Sequence, residues 1–404
     1  MGRRARDKLE LMALSFEQAR ECVLRAVTLA MTPEPVALLE ANGRVLAEQI
    51  LADRPYPPFP RSARDGFAVR AADVPGELRV TGEVRAGEAF SGAVGPGEAV
   101  EIMTGAPLPS GADAVVMIEH TKRSGNRVRI DRAVTSGENF NPRGAEALSG
   151  EIVLAAGRRI DFAHVALLAT VGRQHVLVYR QPRVAILPTG DEIVEVGEQP
   201  SATQIRNSNA AALAVQVRRA GGIPEILPIA RDNEASTRVL AERGLAADLL
   251  LLSGGVSAGK YDVVEKVLGE LGAEFFFDRV LIQPGQPLVF GRVRGKFFFG
   301  LPGNPASTMV TFELFARAAI ERLQGLTNPP LPLTRAKLTR GLRHKTGLTR
   351  FLPVRLSADG STVEPQPWQG SGDVTALARA NAFLVADADR ESWDTGDAIR
   401  VLQR

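Results

Sequence analysis

Cysteine is nearly absent: Cys22 is the only one in 404 residues. A single thiol excludes an internal disulfide framework and a thiolate zinc cluster. Histidine is scarce too, and His120, His164, His175 and His344 lie too far apart in sequence for metal-ligand spacing. No apolar run approaches the roughly 20 residues of a membrane-spanning helix. The basic residues Arg3, Arg4 and Arg6 are not followed by the apolar segment of a signal peptide. A soluble, cytoplasmic chain with no membrane partner is therefore expected. There is little charge imbalance, since 49 Lys and Arg against 46 Asp and Glu leave +3. Scattered basic residues and so small a net charge argue against nucleic acid as a partner. What is present is 45% hydrophobic residues. That suffices for packed cores, over a length that calls for roughly two to four domains.

The most informative stretch runs from Asp248 to Asp262. Leu249, Leu250, Leu251 and Leu252 follow one another without polar alternation, which suits a strand covered on both faces. Gly254, Gly255 and Gly259 let the backbone turn sharply and approach a ligand. A helix beginning near Asp262 would aim its free N–H groups and positive dipole end at the same space. Strand, small-residue loop and helix start together make a site for phosphate or another oxyanion.

Around this stretch, residues 183–324 alternate strands (184–187, 226–229, 249–252, 275–282, 288–291, 297–300) with helices (210–220, 234–244, 263–271 and a long one from Pro305). Ser208 and Asn209 are candidate caps for the first of these helices, and Asn304 for the last. Such alternation predicts a doubly wound α/β sheet. Upstream, Ser15 and Gln18 have capping-box form and open an amphipathic helix. A proline-rich segment, Pro55 to Pro60, leads into short β-prone runs (78–84, 99–103, 114–119, 127–130) between turns. Residues 149–171, with a helix at 165–171, resemble the first segment again, so the β module reads as an insertion. Beyond Pro332 short β-prone runs return (335–338, 351–356, 382–386, 398–402). The expected architecture is α/β multidomain: a helical, elongated arm (14–52 and 147–181), an inserted β-rich domain (53–146), the central α/β domain (182–328) and a C-terminal small β-barrel (329–404). No repeat and no low-complexity segment is found.

Three loops follow strands of the α/β block: Pro188 to Glu192, Gly254 to Asp262, and Gly300 to Ser307. Each alone is a capped helix start; three at one sheet edge predict a binding cleft. Carboxylates recur at turns, namely Asp65, Asp191, Glu192, Asp232 and Asp262, and Mg²⁺ uses one or two carboxylates with phosphate oxygens. Gln283 and Gln286 flank a proline–glycine turn and are able to donate to an oxyanion.

Several motifs, in order along the chain, carry a resemblance. They are Ser-Ala-Arg-Asp-Gly-Phe-Ala-Val at 62–69, Ile-Met-Thr-Gly-Ala-Pro at 102–107, Gly-Ala-Asp-Ala-Val-Val at 111–116 and Pro-Thr-Gly-Asp-Glu at 188–192. Asn-Ser-Asn at 207–209, Gly-Gly-Val-Ser at 254–257 and Gly-Leu-Pro-Gly-Asn-Pro at 300–305 complete the set. Together they resemble the MoeA family, the molybdopterin molybdenumtransferases, which include the gephyrin and plant E domains. The resemblance implies an enzyme of molybdenum cofactor biosynthesis. It would take adenylated molybdopterin and molybdate, use Mg²⁺ to cleave the adenylate, insert molybdenum into the dithiolene and release AMP. It also implies a homodimer whose sites lie where one subunit's β insertion meets the other's α/β domain, and a molybdopterin adenylyltransferase as a partner.

Carried over by motif, the catalytic residues would be Asp65, Thr104, Glu192, Asp232 and Asp262, the acids among them holding Mg²⁺. Thr189, Gly190, Gly254, Gly255, Ser257, Pro302, Gly303 and Asn304 would bind molybdopterin and its phosphate. Gln283, Gln286, Ser307, Arg350 and Ser371 would bind molybdate. The sequence departs from the family pattern at five positions. Lys260 stands where an Asp is common, Gln283 and Gln286 where lysines are, Asn141 where an Arg is, and Glu146 where an Asp is. Neutral donors bind an oxyanion more weakly than charged ones, so Lys260 and Arg206 are the compensating cations to consider. Two alternatives stand beside the transferase: a molybdopterin-binding or scaffold homologue with an altered site, and a molybdopterin adenylyltransferase of the same α/β fold.

Overall fold

The computed structural model describes residues 13–28, 31–255 and 263–404. The four leucines form the strand Leu249–Ser253 near the middle of a six-stranded sheet. The strand order is Ile223–Ile226, Arg183–Pro188, Leu249–Ser253, Lys296–Leu301, Pro287–Val293, Glu274–Arg279. Pairing is parallel among the first four strands and antiparallel across the last two pairs. Alternate side chains feed two cores, one on each face. Val184, Ile186, Leu249 and Leu251 pack with Leu213, Val217 and Ile320. Ala185, Leu187, Leu250 and Leu252 pack with Ala241, Val264 and Leu268. Burying each such leucine stabilises by roughly 1.5–3 kcal/mol, which is why the run tolerates no polar alternation. The fold is thus the expected α/β multidomain one, doubly wound at its centre.

Details of the central block differ from expectation, and the strand expected at 275–282 ends at Arg279. The strand expected at 226–229 lies at Ile223–Ile226, because Gly221 and Gly222 end the preceding helix and the Ile223 N–H already donates to the Pro182 carbonyl. The helix Ser208–Arg219 is capped by Asn207, whose side chain accepts from the Ala210 N–H at 3.1 Å. Neither Ser208 nor Asn209 serves as the cap, because a cap binds the N–H two or three residues on and Asn207 already meets Ala210. Asn209 is left free for a tertiary role.

The last helix of the α/β block continues from Pro305–Thr311 through a π-helical turn, Phe312–Ala316, into Arg317–Leu323. That turn buries Phe312 and Phe315. Phe16, on the capping-box helix Phe16–Ala26, meets Phe315 and, in the C-terminal barrel, Phe351, with centroids 5.9 and 5.5 Å apart. The barrel closes over five strands, with Thr349–Leu356 paired to both Thr362–Pro365 and Ala382–Ala386. The short strand Ile282–Gln283 adds parallel to it, placing Gln283 opposite Arg350 in register.

Residues 66–130 form a further six-stranded sheet. Its strand Gly66–Val69 is wholly buried and lies between two partners, although its pattern predicts no strand. Pro33–Ala37 pairs with His175–Tyr179, and Ile50–Leu51 with Ile152–Leu154. The segments before and after the insertion therefore share one core around Leu46, Ile50, Leu168 and Val176. The helix expected at 165–171 spans Phe162–Thr170, since Asp161 accepts the Ala163 and His164 N–H groups. Among the described residues no helix is long and apolar enough to cross a membrane.

Candidate active site

An open cleft of about 1270 Å³ lies beyond the carboxyl ends of the parallel strands. Thr189, Gly190, Glu192, Gly254, Gly255, Pro302, Gly303 and Asn304, from the three expected loops, all line it. This is the position at which parallel α/β sheets collect ligands. The loops fit together closely. A Cβ on Gly254, whose φ is +98°, would come within 2.6 Å of the Thr189 carbonyl oxygen, and one on Gly303 would lie 3.6 Å from the Gly254 Cα. Glycine is required at Gly254 both by its conformation and by that contact.

Hydrogen bonds lock the loop bases. The Thr189 N–H donates to the Ser253 carbonyl at 3.0 Å. The Asp191 N–H donates to Asp232 at 3.3 Å, and the Asp232 N–H returns a bond to Asp191 at 3.2 Å. Buried Asn209 donates through Nδ2 to the Ser253 Oγ at 3.1 Å and to the Gly303 carbonyl at 2.7 Å. Asn304 sits at the start of its helix but makes no side-chain cap; it donates instead to the Ser371 Oγ at 2.9 Å. The Ala306 N–H donates to the Ser371 carbonyl at 2.9 Å. The C-terminal domain thus satisfies the start of that helix from outside, and Trp368 and Gly370 join the cleft wall with Ser371.

Gln283, Gln286, Ser307 and Ser371 also line the cleft. Gly285 presses the turn between the glutamines against the helix, where a Cβ would lie 2.4 Å from the Thr311 methyl. Arg350 is not among the lining residues, although it stands opposite Gln283 in register. Its Nε is buried without a hydrogen-bond partner.

Among the described lining residues Arg206 is the only Lys or Arg, against the two acids Glu192 and Asp232. Its guanidinium donates to the Glu198 carbonyl at 3.1 Å and to Gln199 at 3.5 Å and meets no carboxylate among the described residues. No group of three or more His, Cys, Asp or Glu side chains placed to hold a metal occurs among the described residues.

Asp65 and Thr104 do not line this cleft within the chain; they meet each other beside the sheet of residues 66–130. The Asp65 carboxylate accepts from the Thr104 hydroxyl at 2.7 Å and from its N–H at 2.6 Å. These two bonds, the hydroxyl's first, hold the Asp65 carboxyl below the usual range. Ser257, Lys260 and Asp262 lie outside the described residues. Two cleft residues escaped the sequence reading. By sequence Asn209 is a candidate cap and Ser253 has no role, since the expected strand ends at Leu252 while the observed one runs to Ser253; the Asn-Ser-Asn motif is the one available signal for the first.

Comparison with known proteins covers nearly the whole chain. Residues 14–172 match the MoeA N-terminal region (domains I and II), 185–322 a probable molybdopterin binding domain, and 335–403 the MoeA C-terminal region (domain IV). A molybdopterin molybdenumtransferase of Staphylococcus aureus (strain MSSA476) is 33% identical over 377 residues, covering 91% of this chain and 90% of that one. The crystal structure of a molybdopterin biosynthesis MoeA protein from Pyrococcus horikoshii is 33% identical, with a TM-score of 0.75 over 97% of this chain and 99% of that one. A second such structure, from Pyrococcus horikoshii OT3, is 28% identical with a TM-score of 0.81, covering 97% of this chain and 100% of the other. With matched regions in this order and relatives alike over nine-tenths of its length, the chain belongs to the MoeA family, the molybdopterin molybdenumtransferases.

Proposed function

We propose that the protein inserts molybdenum from molybdate into adenylated molybdopterin, releasing AMP. The observation that carries this reading is one cleft lined both by glycine-rich loops and by a second set of groups able to donate to an oxyanion. Thr189, Gly190, Gly254 and Gly255 present close backbone on one side, as a phosphorylated pterin requires. Gln283, Gln286, Ser307 and Ser371 present amide and hydroxyl groups on the other, a neutral donor set for molybdate. Arg350 adds charge from the register position beside Gln283.

The acids fit Mg²⁺. Glu192 and Asp232 line the same cleft, neither has a cationic partner among the described residues, and such an ion binds through one or two carboxylates with phosphate oxygens. Held by these two acids, the ion would supply positive charge to polarise the phosphoanhydride and to offset charge on the leaving phosphate. The chain's own residues orient the anhydride along the loops, hold molybdate against it, and balance phosphate charge with Arg206. Asp65 and Thr104 act in a homodimer, where the inserted domain of one subunit completes the cleft of the other. Asp65, kept ionised by Thr104, then supplies a further acid to that site.

Purified protein given adenylated molybdopterin, molybdate and Mg²⁺ should release one AMP per molybdenum incorporated, and Glu192→Gln should suppress release without abolishing ligand binding. Ligand bound with no AMP released would refute the proposal.

A further inference from the structure

Ser253 is buried, yet it lines the cleft at the carboxyl end of the central strand, between Pro188 and Leu301 in register. Its carbonyl is spent on the Thr189 N–H. Its hydroxyl oxygen accepts from the Asn209 Nδ2 at 3.1 Å. The orientation of that carboxamide is not ambiguous, because the same nitrogen lies 2.7 Å from the Gly303 carbonyl, which only accepts. Asn209 is 9% exposed, and its Oδ1 has no partner among the described residues, so Nδ2 alone anchors the side chain. The consequence falls on Ser253. With a donor facing its oxygen from the Asn209 side, its own proton has no acceptor there and no other acceptor among the described residues.

We propose that Ser253 is a ligand-binding residue of the cleft, donating its hydroxyl proton to a phosphate oxygen, and that Asn209 is its positioning residue. The proposal rests on the reading of the cleft as the site of a phosphorylated ligand. The chemistry it selects is an anionic oxygen, because Asn209 polarises the hydroxyl as a donor and blocks it as an acceptor for ligand N–H groups.

The probe is ADP, which carries the adenosine diphosphate unit of an adenylated phosphate, with adenosine as the control. Calorimetry on the full chain with Mg²⁺ should show ADP binding weakened about tenfold by Ser253→Ala, the scale of one charge-assisted hydrogen bond, with adenosine binding unchanged. Asn209→Asp should weaken ADP binding similarly, because the serine proton then turns to the carboxylate, while Ser253→Thr, which keeps the hydroxyl, should retain affinity. Wild-type binding of ADP with unchanged affinity in folded Ser253→Ala would overturn this inference alone. Equal losses for ADP and adenosine would also overturn it, since they mark a purely structural serine. Failure of the wild-type chain to bind ADP at all would overturn the phosphate reading of the cleft together with it.

Discussion

At the residue scale the cleft is controlled by a few side chains whose charge or hydrogen bonds have no local alternative. Arg206 is the clearest, the single cation lining the cleft among the described residues. Arg206→Gln should weaken binding of a diphosphate ligand by roughly tenfold, as one charge-assisted hydrogen bond contributes about 1.5–3 kcal/mol and exposure reduces it. Calorimetric titrations at two salt concentrations would check this, and the wild-type affinity should fall more steeply with salt than the variant's. Asp65 offers a pH test. Its carboxyl is held below the usual range by Thr104, so it remains ionised as pH falls to that lower value and the two bonds persist above it. Thr104→Val deletes the hydroxyl bond, and an NMR titration of the Asp65 carboxyl should show its pKa returning upward. At this scale the sequence was only half legible. The motif residues Thr189, Gly254, Gly303 and Ser371 do meet in one cleft, whereas Asn209 and Ser253 meet through a tertiary contact that no local spacing announces.

At the scale of elements, periodicity read well wherever burial alone decides. Four leucines in a row demanded a strand with two cores, and they have one. Leu251→Ala in that strand should cost about 2–5 kcal/mol, because the side chain is fully buried and the void cannot close. Val239→Ala, on the exposed face of Glu234–Gly244, should change stability by no more than about 0.5 kcal/mol. Urea unfolding of the two variants side by side separates these outcomes. Where the deciding partner is distant, the local signal misled. Asn304 has the sequence of a cap, yet Ser371 from the C-terminal domain takes its side chain. The strand Gly66–Val69 opens on a glycine and carries one large side chain, so nothing in its pattern announces a central strand.

At the scale of the whole molecule, the arm, the α/β domain and the barrel are joined by shared cores and by buried charge. Glu321, on the helix Arg317–Leu323, is buried 3.6 Å from Arg159 of the arm. Burial pushes its carboxyl up, beyond what Arg317, Arg159 and Arg20 restore. A carboxyl raised in the folded state contributes stability that is fully present below its ordinary pKa and is lost as pH rises through the raised value. Glu321→Gln should therefore raise the unfolding midpoint relative to wild type at pH 8 and leave it unchanged at pH 4, which a thermal scan at each pH would show. The architecture as a class was legible because each module has its own hydrophobic period, but the convergence of domains on one cleft was not, since it depends on contacts such as Asn304 with Ser371.

The central claim is that this cleft joins a phosphorylated pterin to molybdate and exchanges AMP for metal. Its most direct test is X-ray absorption at the molybdenum edge on protein incubated with adenylated molybdopterin, molybdate and Mg²⁺, with AMP measured in the same sample. The account predicts sulfur ligands appearing on molybdenum in step with AMP release; molybdenum remaining bound only to oxygen, with the adenylate intact in a protein that has bound both ligands, would contradict it.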